Sequence, residues 1–386
     1  MEIVDQRIQV PQSLDVEAVE RALAELWQQT AGDEEAEDGG TLRARVADLM
    51  VFVTSDATLT ETRASVRDLA LVHPCRALVM LADRDGESSD IEMSVSTFSQ
   101  RQRLSKKVQL SCEEVTLVAR GGFTSELPSA VIPLLVPDLP IFLWWRDLER
   151  LEDQCFQPLA HAADRLVIDS VDLKELGFGL EALSQLLDRQ GREAIAVSDI
   201  NWARLTSWRA LLANFYDVAE YRSLLSNLEE VRIEYVAPEG NASSLAPQGL
   251  LIAGWLASRL RWDVEPNSAE HGEGLAFNCR QNGKKLRLLL KRVEGAEIKP
   301  GRLSKIELFA GGSDGASFVV TRTDDGLHLE TQGTIGGLSC PGRTLPVRNR
   351  STAELLAREM EILAKDIPYE DAVRQAARMI DLVDKR

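Results

Sequence analysis

The sequence has few of the residues from which disulfide scaffolds and metal sites are built. Its five cysteines are odd in number and widely spaced, and no two of them form a CxxC pair. The four histidines are equally scattered, so they form no local cluster with the spacing of a metal site or an acid/base pair. We therefore expect no disulfide scaffold and no metal, and most of the cysteines should be buried thiols.

Several common catalytic and nucleotide-binding motifs are also missing. The chain contains no GxGxxG, no GxxxxGK[ST] and no HExxH. Polar residues do follow several predicted strands, among them Asp83, Asp169 and Asp199, and ligands bind beyond that end of the strands in a parallel sheet. Such residues are also ordinary helix caps. We predict a non-catalytic protein without a cofactor; the alternative is an enzyme or sensor that binds a sugar phosphate or nucleotide in this crevice.

No segment has the length and composition of a membrane span. The longest mainly apolar run, residues 127–145, contains four prolines and Asp138, whereas a spanning helix needs about 20 predominantly apolar residues. No apolar stretch typical of a signal peptide follows Met1. The balance of 44 basic against 61 acidic residues, a net charge of −17, opposes a general role on nucleic acid or anionic membrane. We expect a cytoplasmic protein.

Short apolar runs alternate with helical patterns up to about residue 200. Helical patterns occupy 58–72 and 179–190. Runs such as LMVFV and ALVML are apolar on both faces, as in a strand covered by helices on both sides. These patterns predict a three-layer α/β domain whose sheet is mainly parallel, with an antiparallel pair around 91–122. The strand-like runs are LMVFVTS (49–55), RALVMLAD (76–83), IEMSVSTF (91–98), EVTLVARGG (114–122), LPIFLWW (139–145), RLVIDSVD (165–172) and EAIAVSDI (193–200).

The proline-rich run before residue 145 is interpreted as a bend in the core. Residues 127–136 are predicted to form a short helix or turn, residues 137–140 a rigid corner, and residues 141–145 a buried strand. Trp144 and Trp145 then point to opposite faces of that strand, and at least one of them lies in a packing layer, while the other could be exposed at the strand's end.

The pattern changes after residue 200. NWARLTSWRALLANFYDVAEYRSLL (201–225) predicts one long helix, and a second helix at 246–262 precedes five consecutive strands. Asn282-Gly283 marks a hairpin between two of these strands. This order predicts an α+β domain with an antiparallel sheet, closed by one or two helices over 351–384. The long helix has a stripe of apolar residues at Leu205, Trp208, Leu211, Leu212, Phe215 and Val218.

Three domains are therefore predicted. Residues 1–40 hold an N-terminal helix and the acidic segment GDEEAEDGG (32–40), which has the composition of a flexible loop. The α/β domain spans 41–200 and the α+β domain spans 201–386. Two basic stretches stand out, RQRLSKK (101–107) and the region 284–305, which holds eight lysines and arginines. The second is either the solvated face of an edge strand or a docking patch for an acidic partner or phosphate ligand.

Three stretches of the sequence resemble the OpcA family, the glucose-6-phosphate dehydrogenase assembly proteins of cyanobacteria and actinobacteria. They are PSAVIPLLVPDLPIFLWW (128–145), SDINWARLTSWRALLANFYD (198–217) and GWLASRLRW (254–262), with HPCR (73–76) upstream. The resemblance covers roughly residues 45–345. It implies a non-catalytic protein of the oxidative pentose phosphate pathway that binds the dehydrogenase and promotes its active oligomeric form. In cyanobacterial members it also implies a thiol link through thioredoxin.

The same resemblance implies candidate residues for partner binding, because Trp and Arg are favoured as interface anchors. The candidate for a redox role is Cys75, the thiol nearest a family motif. Four partner candidates lie off or at the edge of the apolar stripe of the long helix, and three more are expected together at one end of the parallel sheet. The first group is Asn201, Trp202, Arg204 and Arg209, and the second is Arg76, Trp145 and Arg146.

Overall fold

The chain folds into two compact units, which we describe from a computed structural model. Unit 1 consists of Met1–Ile168, Arg189–Ile200 and Arg350–Lys365, and unit 2 of Asp169–Asp188, Asn201–Asn349 and Asp366–Arg386. Each unit thus takes three separate segments of chain, whereas the predicted domains are contiguous. The residues described are 3–10, 16–32, 45–70, 72–87, 90–100, 111–189, 194–237, 245–265, 269–271, 274–294, 298–299, 301–311, 315–347, 350–362 and 364–384.

Strands and helices are numbered along the whole chain. The strands are β1 (Ile3–Val10), β2 (Asp48–Val53), β3 (Arg76–Asp83), β4 (Glu92–Gln100), β5 (Ser111–Arg120), β6 (Ile141–Trp145), β7 (Arg165–Ile168), β8 (Ala196–Asp199), β9 (Leu228–Val236), β10 (Asp263–Val264), β11 (Ala269–His271), β12 (Gly274–Gln281), β13 (Lys284–Val293), β14 (Leu303–Ala310), β15 (Ala316–Arg322), β16 (His328–Ile335), β17 (Leu338–Cys340) and β18 (Thr344–Pro346). The helices are α1 (Val16–Gly32), α2 (Asp56–Ala70), α3 (Leu127–Val131), α4 (Phe156–Ala162), α5 (Leu176–Leu187), α6 (Ile200–Arg204), α7 (Thr206–Phe215), α8 (Ala219–Arg222), α9 (Pro247–Leu260), α10 (Thr352–Met360) and α11 (Ile367–Asp384).

Unit 1 is built on an eight-stranded sheet with the order β1-β4-β5-β3-β2-β6-β7-β8. β4 runs antiparallel to β1 and to β5, and all other neighbours in the sheet are parallel. Every residue of β2 is buried, as are all but the last of β3, because central parallel strands are covered on both faces. The predicted α/β domain with a mainly parallel sheet and one antiparallel pair near 91–122 is confirmed.

The proline-rich bend lies in the core of unit 1, as predicted. α3 and the 3₁₀ turn that follows it bury Leu127, Val131 and Leu134. The chain then turns through Asp138, whose φ is 69°, and enters β6. Both tryptophans of β6 are fully buried, so neither of them is exposed at the end of the strand.

Unit 2 contains a ten-stranded sheet in the order β10-β12-β13-β9-β14-β15-β16-β17, with β11 and β18 paired to β12 and β16. Only β9 and β13 pair in parallel, among the strands described. The predicted α+β domain is confirmed, with this one parallel pair as an addition. The predicted hairpin is also present, because Asn282 and Gly283 have φ values of 51° and 79° between β12 and β13, as the favoured two-residue turn requires.

Helices cover one face of this sheet. α9 lies against β9 and β13, α7 lies against β15, and α11 packs along α9 and α5. The α9–α11 contact is close at Gly254, where an added Cβ atom would lie 2.2 Å from the carbonyl oxygen of Ala372. The sheet residues beneath the helices are almost completely buried and form the core of unit 2: Val231, Ile233, Leu288, Leu290, Ile306, Leu308, Phe318 and Val320.

The long helix predicted for 201–225 is broken into α6, α7 and α8, so that prediction was wrong in part. At the first break the N–H of Leu205 donates to the carbonyl of Trp202, 3.0 Å away and only three residues back. The hydroxyl of Thr206 donates to the carbonyl of Ala203 at 2.8 Å and competes with the helical pattern there. The apolar stripe is buried up to Phe215, whereas Val218 is exposed.

The two closing helices, α10 and α11, are present, and Pro368 lies in the first turn of α11, where proline is tolerated. Two of the predicted charged stretches cannot be followed. The basic stretch 101–107 lies outside the described residues, as does the acidic segment beyond Gly32, which ends α1. Among the described helices, none is long and apolar enough to cross a membrane.

Candidate functional site

Unit 2 contains a buried polar network around Asp169, which we call the Asp169 network. It consists of Asp169, Ser170, Asn201, Arg204 and Gln248. Asp169 directly follows β7, and Arg204, at the end of α6, holds its carboxylate in a two-pronged ion pair, with Nη1–Oδ1 and Nη2–Oδ2 distances of 2.6 and 2.7 Å. This geometry is the strongest that an arginine and a carboxylate can form.

The rest of the network is a chain of amide hydrogen bonds. Asn201 is completely buried; its Nδ2 donates to the hydroxyl of Ser170 at 3.1 Å, and its Oδ1 accepts from Nε2 of Gln248 at 2.8 Å. Gln248 in turn accepts from the backbone N–H of Leu303 at 3.2 Å. The network therefore ties the start of β14 to α6 and α9.

Trp202 lies beside the network but faces another way. Its indole N–H donates to a carboxylate oxygen of Asp366 at 2.9 Å, and the guanidinium of Arg209 stacks over its ring at 3.6 Å. Only 3 % of Trp202 is exposed, so the ring is not available to a partner as the chain stands. Arg204 and Arg209 keep partial exposure, and their role as partner contacts stays a prediction.

The three remaining candidates lie in unit 1 and are not together. Arg76 begins β3 at the level of Ile141, whereas Trp145 ends β6. Four residues of strand separate those levels, about 13 Å. The expectation that Arg76 and Trp145 share one end of the sheet was therefore wrong, since sequence alone does not show which end of its strand each residue occupies relative to the neighbours.

Arg76 is part of a buried charge cluster. Its Nε contacts the carboxylate of Glu113 at 3.0 Å, and its Nη1 donates to the carbonyl of Leu134 at 2.9 Å. Arg45 also pairs with Glu113. The neighbouring Asp48 is completely buried, and this burial raises the pKa of its carboxyl. Arg76 itself is 2 % exposed, so its contacts are those of a structural residue.

Arg146 is also largely covered. Its Nη1 lies 3.1 Å from the hydroxyl of Thr62, and its guanidinium lies 5.1 Å from the centre of the Trp144 ring. A longer contact of 3.7 Å joins it to exposed Glu61. Of the three candidates in unit 1, Arg146 alone keeps a partly exposed surface, and its role as a partner contact stays a prediction.

The polar strand ends that suggested a ligand crevice are engaged locally. The hydroxyl of Ser55 accepts from the N–H of Thr58 at 3.2 Å, which caps the start of α2. Asp83 accepts from the N–H of Gly86 at 3.1 Å and pairs with Arg120 at 2.5 Å. These contacts are those of caps and turns.

The described residues also offer little for metal or serine chemistry. Within them, no group of three or more His, Cys, Asp and Glu side chains could hold a metal ion. The segment GGSDG, residues 311–315, has the spacing GxSxG. Residues 312–314 of this segment lie outside the described residues. The strands before and after it, β14 and β15, are antiparallel neighbours, whereas the nucleophile of that motif sits on a turn from a strand to a helix.

A surface that the sequence did not reveal as a candidate is the face of the unit 2 sheet that lies opposite the helices described above. The basic region 284–305 is not an edge strand, because β13 pairs with β12 on one side and β9 on the other. Its side chains instead share a face with those of β9, β14 and β15, through the register Leu289–Arg232–Glu307–Val319. We call this the open face: Glu230, Arg232, Glu234, Arg287, Leu289, Lys291, Lys305, Glu307, Phe309, Ser317, Val319 and Thr321.

Two short ion pairs join opposite charges on the open face. Arg232 pairs with Glu230 at 2.5 Å, and Lys305 pairs with Glu307 at 2.5 Å. The guanidinium of Arg232 lies 4.9 Å from the centre of the Phe309 ring. A groove of about 560 Å³ crosses the face beside β14 and β15. The alternation of apolar and polar residues in β13 and β14 was the signal available in the sequence. It does not show which strands are neighbours in the sheet, so the residues of one face could not be assigned from it.

Similarity to known proteins decides the family. Two sequence models match, and each is described as one terminal domain of a glucose-6-phosphate dehydrogenase subunit. The model of the N-terminal domain matches residues 66–185, and the model of the C-terminal domain matches residues 195–373. Both carry the OpcA name, and together they cover most of the chain. The chain belongs to the OpcA family. The resemblance drawn from the three sequence stretches is thereby confirmed.

Three relatives that carry the OpcA name come from cyanobacteria. The chain is 25 % identical over 324 residues to an "OxPP cycle protein OpcA" of Nostoc punctiforme, an alignment that spans 82 % of this chain and 67 % of that protein. A Synechocystis protein of the same name is 25 % identical over 328 residues, and there the alignment spans 81 % of this chain and 65 % of the relative. The chain thus spans about two thirds of the length of these relatives.

Among solved structures, the chain is similar to KijD10, a 3-ketoreductase from Actinomadura kijaniata. The TM-score is 0.47 at 10 % identity, over 86 % of this chain and 94 % of that one. A similarity at this level has no bearing on function.

The four thiols whose side chains the structure describes give no support to a redox link. Cys75, Cys155 and Cys279 are buried, and Cys340 is partly exposed. Burial raises the pKa of the Cys155 and Cys279 thiols to about 12. Because the thiolate is the reactive form, both groups are poorly suited to exchange with thioredoxin, and the redox role of Cys75 stays a prediction.

We expect the rate of thiol labelling in the native chain to follow the exposure of the cysteines. With a disulfide reagent at pH 8, Cys155 and Cys279 should react at least roughly tenfold more slowly than Cys340, because burial limits both access and thiolate fraction. Peptide mass spectrometry over a time course measures each rate, and the same reaction in guanidinium serves as the control, where the difference should vanish. Labelling of Cys155 or Cys279 as fast as that of Cys340 would contradict the buried positions.

Proposed function

We propose that this chain is a non-catalytic partner of glucose-6-phosphate dehydrogenase in the oxidative pentose phosphate pathway. The observation that carries the proposal is the match of two sequence models, both described as domains of a subunit of that enzyme, to residues 66–185 and 195–373. The OxPP name of the cyanobacterial relatives supports the same pathway. The role that the family implies is to favour an assembled form of the enzyme by binding that form more tightly than the others.

The open face is the surface that we propose for docking the dehydrogenase. Its apolar side chains, Leu289, Phe309 and Val319, are partly exposed and are flanked by charges of which Glu230, Arg232, Lys305 and Glu307 are paired within the face. Paired charges cost less to remove from water than isolated ones, since each keeps a partner in the complex. Aromatic and arginine side chains are also the usual anchors of an interface, and Phe309 with Arg232 supplies such a pair.

The test is co-elution of this chain with the dehydrogenase of the same organism in size-exclusion chromatography with light scattering. Initial rates of the enzyme should be measured alongside, with the mixture oxidised and then reduced. We expect a complex in which the dehydrogenase has a larger assembled mass and a lower KM or a higher kcat. No complex and no rate effect in either redox state would overturn the proposed function.

A pair of matched variants locates the docking surface. Phe309→Glu replaces the aromatic ring of the open face by a charge beside Arg232 and should weaken binding at least about tenfold, the effect expected of an aromatic interface anchor. Phe178→Glu makes the same change at an exposed phenylalanine of α5 in the same unit and should bind as the wild type does. Equal melting temperatures would show that both variants are folded. If Phe309→Glu still binds the dehydrogenase and Phe178→Glu does not, the interface lies outside the open face. The proposed function would be unaffected by that result.

A further inference from the structure

Unit 2 contains three partly buried arginines that influence one another near a single buried carboxylate. Three guanidiniums, those of Arg204, Arg302 and Arg322, interact electrostatically around the start of β14, and we call them the arginine cluster. The carboxylate that acts on Arg302 is Asp169, and both of its oxygens are already taken by Arg204. Asp169 is thus shared between Arg204, which it pairs with directly, and Arg302, which it attracts only from a longer distance.

Arg302 has the weakest set of partners of the three. Its Nη1 lies 3.4 Å from Oδ1 of Asn201, a long hydrogen bond, and among the described residues no carboxylate lies within ion-pair distance of it. Burial lowers the pKa of Arg302 to about 10, and repulsion from Arg204 adds to this effect. A guanidinium carries five N–H donors, so most of those of Arg302 remain open for another acceptor.

The backbone of Arg302 is fixed on both sides. Its carbonyl accepts from the N–H of Val236 at 2.9 Å, and the N–H of Gly301 donates back to the carbonyl of Val236 at 2.9 Å. Gly301 has a φ of 75°, which a side chain would disfavour. The next residue, Leu303, is held by Gln248 of the Asp169 network. The cation is therefore placed by the fold before any ligand arrives.

Arg322 approaches the cluster from β15 and is also fixed. Its Nε donates to the carbonyl of Leu303 at 3.1 Å and its Nη1 to the carbonyl of Gly326 at 3.3 Å. Its guanidinium lies 5.8 Å from the centre of the Trp208 ring. These neutral partners orient Arg322 without neutralising it, and burial lowers its pKa as well.

We propose that the arginine cluster binds the phosphate group of a small phosphorylated ligand, with Arg302 as its main contact. Three observations converge on this assignment: two further guanidiniums beside Arg302, a partly exposed Arg302 with most of its donors open, and a backbone that holds it in place. A phosphate monoester carries nearly two negative charges near neutral pH and accepts forked hydrogen bonds from guanidinium groups. A carboxylate would bring only one negative charge. A polyanion such as nucleic acid is disfavoured by the net charge of −17.

The experiment is isothermal titration of the full chain with inorganic phosphate in a phosphate-free buffer, with ionic strength held constant by sodium chloride. We expect saturable binding to the wild type. Arg302→Gln removes the charge and should weaken phosphate binding about tenfold or more, the loss of one charge-assisted hydrogen bond. Arg280→Gln is the matched control, because Arg280 is an exposed arginine of β12 already paired with Glu265, and it should bind phosphate as the wild type does.

Thermal melts of the same variants test whether the charge of Arg302 raises or lowers the melting temperature, with and without phosphate. Without phosphate, Arg302→Gln should melt at a temperature equal to or above that of the wild type, because a poorly compensated buried cation has been removed. When phosphate is added, the melting temperature of the wild type should rise above that of Arg302→Gln. The proposal is overturned if the wild type shows no saturable binding, if Arg302→Gln binds phosphate as well as Arg280→Gln does, or if Arg302→Gln melts well below the wild type in phosphate-free buffer.

A final arm separates the sources of the phosphate group. A hexose monophosphate and a nucleoside diphosphate should be titrated under the same conditions as inorganic phosphate. Tighter binding of either one supports an organic ligand and identifies its class, whereas equal affinity for all three supports a site for the phosphate group alone. These outcomes do not depend on whether the chain binds the dehydrogenase.

Discussion

Replacement of Trp145 by alanine will lower the free energy of unfolding by about 3–5 kcal/mol. The indole is fully buried, stacks on Phe52 with ring centroids 4.0 Å apart, and meets Phe156 edge-on at 5.1 Å. Its N–H donates to the carbonyl of Asp147 at 2.6 Å. The substitution therefore removes apolar contacts, leaves a cavity and deprives a carbonyl of its donor.

Guanidinium unfolding followed by far-UV circular dichroism measures this loss. Phe178→Ala is the control, because Phe178 is exposed and its removal should change stability by about 0.5 kcal/mol or less. The result also separates two roles for Trp145. If Trp145→Ala kept the stability of the wild type but no longer bound the dehydrogenase, the indole would be a partner contact. That result would contradict the burial of Trp145 in unit 1.

Removal of the Arg204 side chain should destabilise the chain by a similar amount, about 3–5 kcal/mol. In Arg204→Ala the Asp169 carboxylate, which is 6 % exposed, would lose both of its charge-assisted hydrogen bonds; it would keep the N–H of Val171, 3.3 Å away, and the longer-range attraction of Arg302. A buried charge without a partner costs several kcal/mol in lost solvation.

The double variant Asp169→Ala/Arg204→Ala tests this cause. Once the carboxylate is gone as well, the unpaired charge no longer exists, so the double variant should be clearly more stable than the sum of the two single losses predicts. Losses that add would mean that the two side chains act independently. Chemical unfolding of the wild type, the two single variants and the double variant gives the four free energies of unfolding that this comparison needs.

The sequence predicted the parts of the fold that depend on local patterns. RALVMLAD coincides with β3, and LMVFVTS overlaps β2 closely, because unbroken apolar runs of that length are typical of buried parallel strands. β1 was missed although Val4, Ile8 and Val10 lie on one side of an alternating pattern. The break at Leu205 was missed because the apolar stripe continues through it, and only backbone hydrogen bonds show where a helix stops.

The candidate residues were harder to predict, because their surroundings are built by distant segments. Trp202 was placed off the apolar stripe of its helix, yet it is buried through its contacts with Asp366 and Tyr369, more than 160 residues away in sequence. The open face and the arginine cluster were also not predicted, because each of them is formed by segments that are distant in sequence. Arg204 ends α6, Arg302 directly precedes β14 and Arg322 ends β15, and no periodicity within one segment shows that they lie close together.

The division of each unit into three segments affects how the protein is made. Residues 350–365 supply α10, which packs on α2 in unit 1, and residues 366–386 supply α11, which packs on α9 in unit 2. A ribosome delivers the chain from its amino end, so a nascent chain that has reached residue 349 holds two unfinished units whose helices α2 and α9 still lack these neighbours. Both units are completed within the same short interval of translation, and until then their uncovered apolar faces are substrates for chaperones.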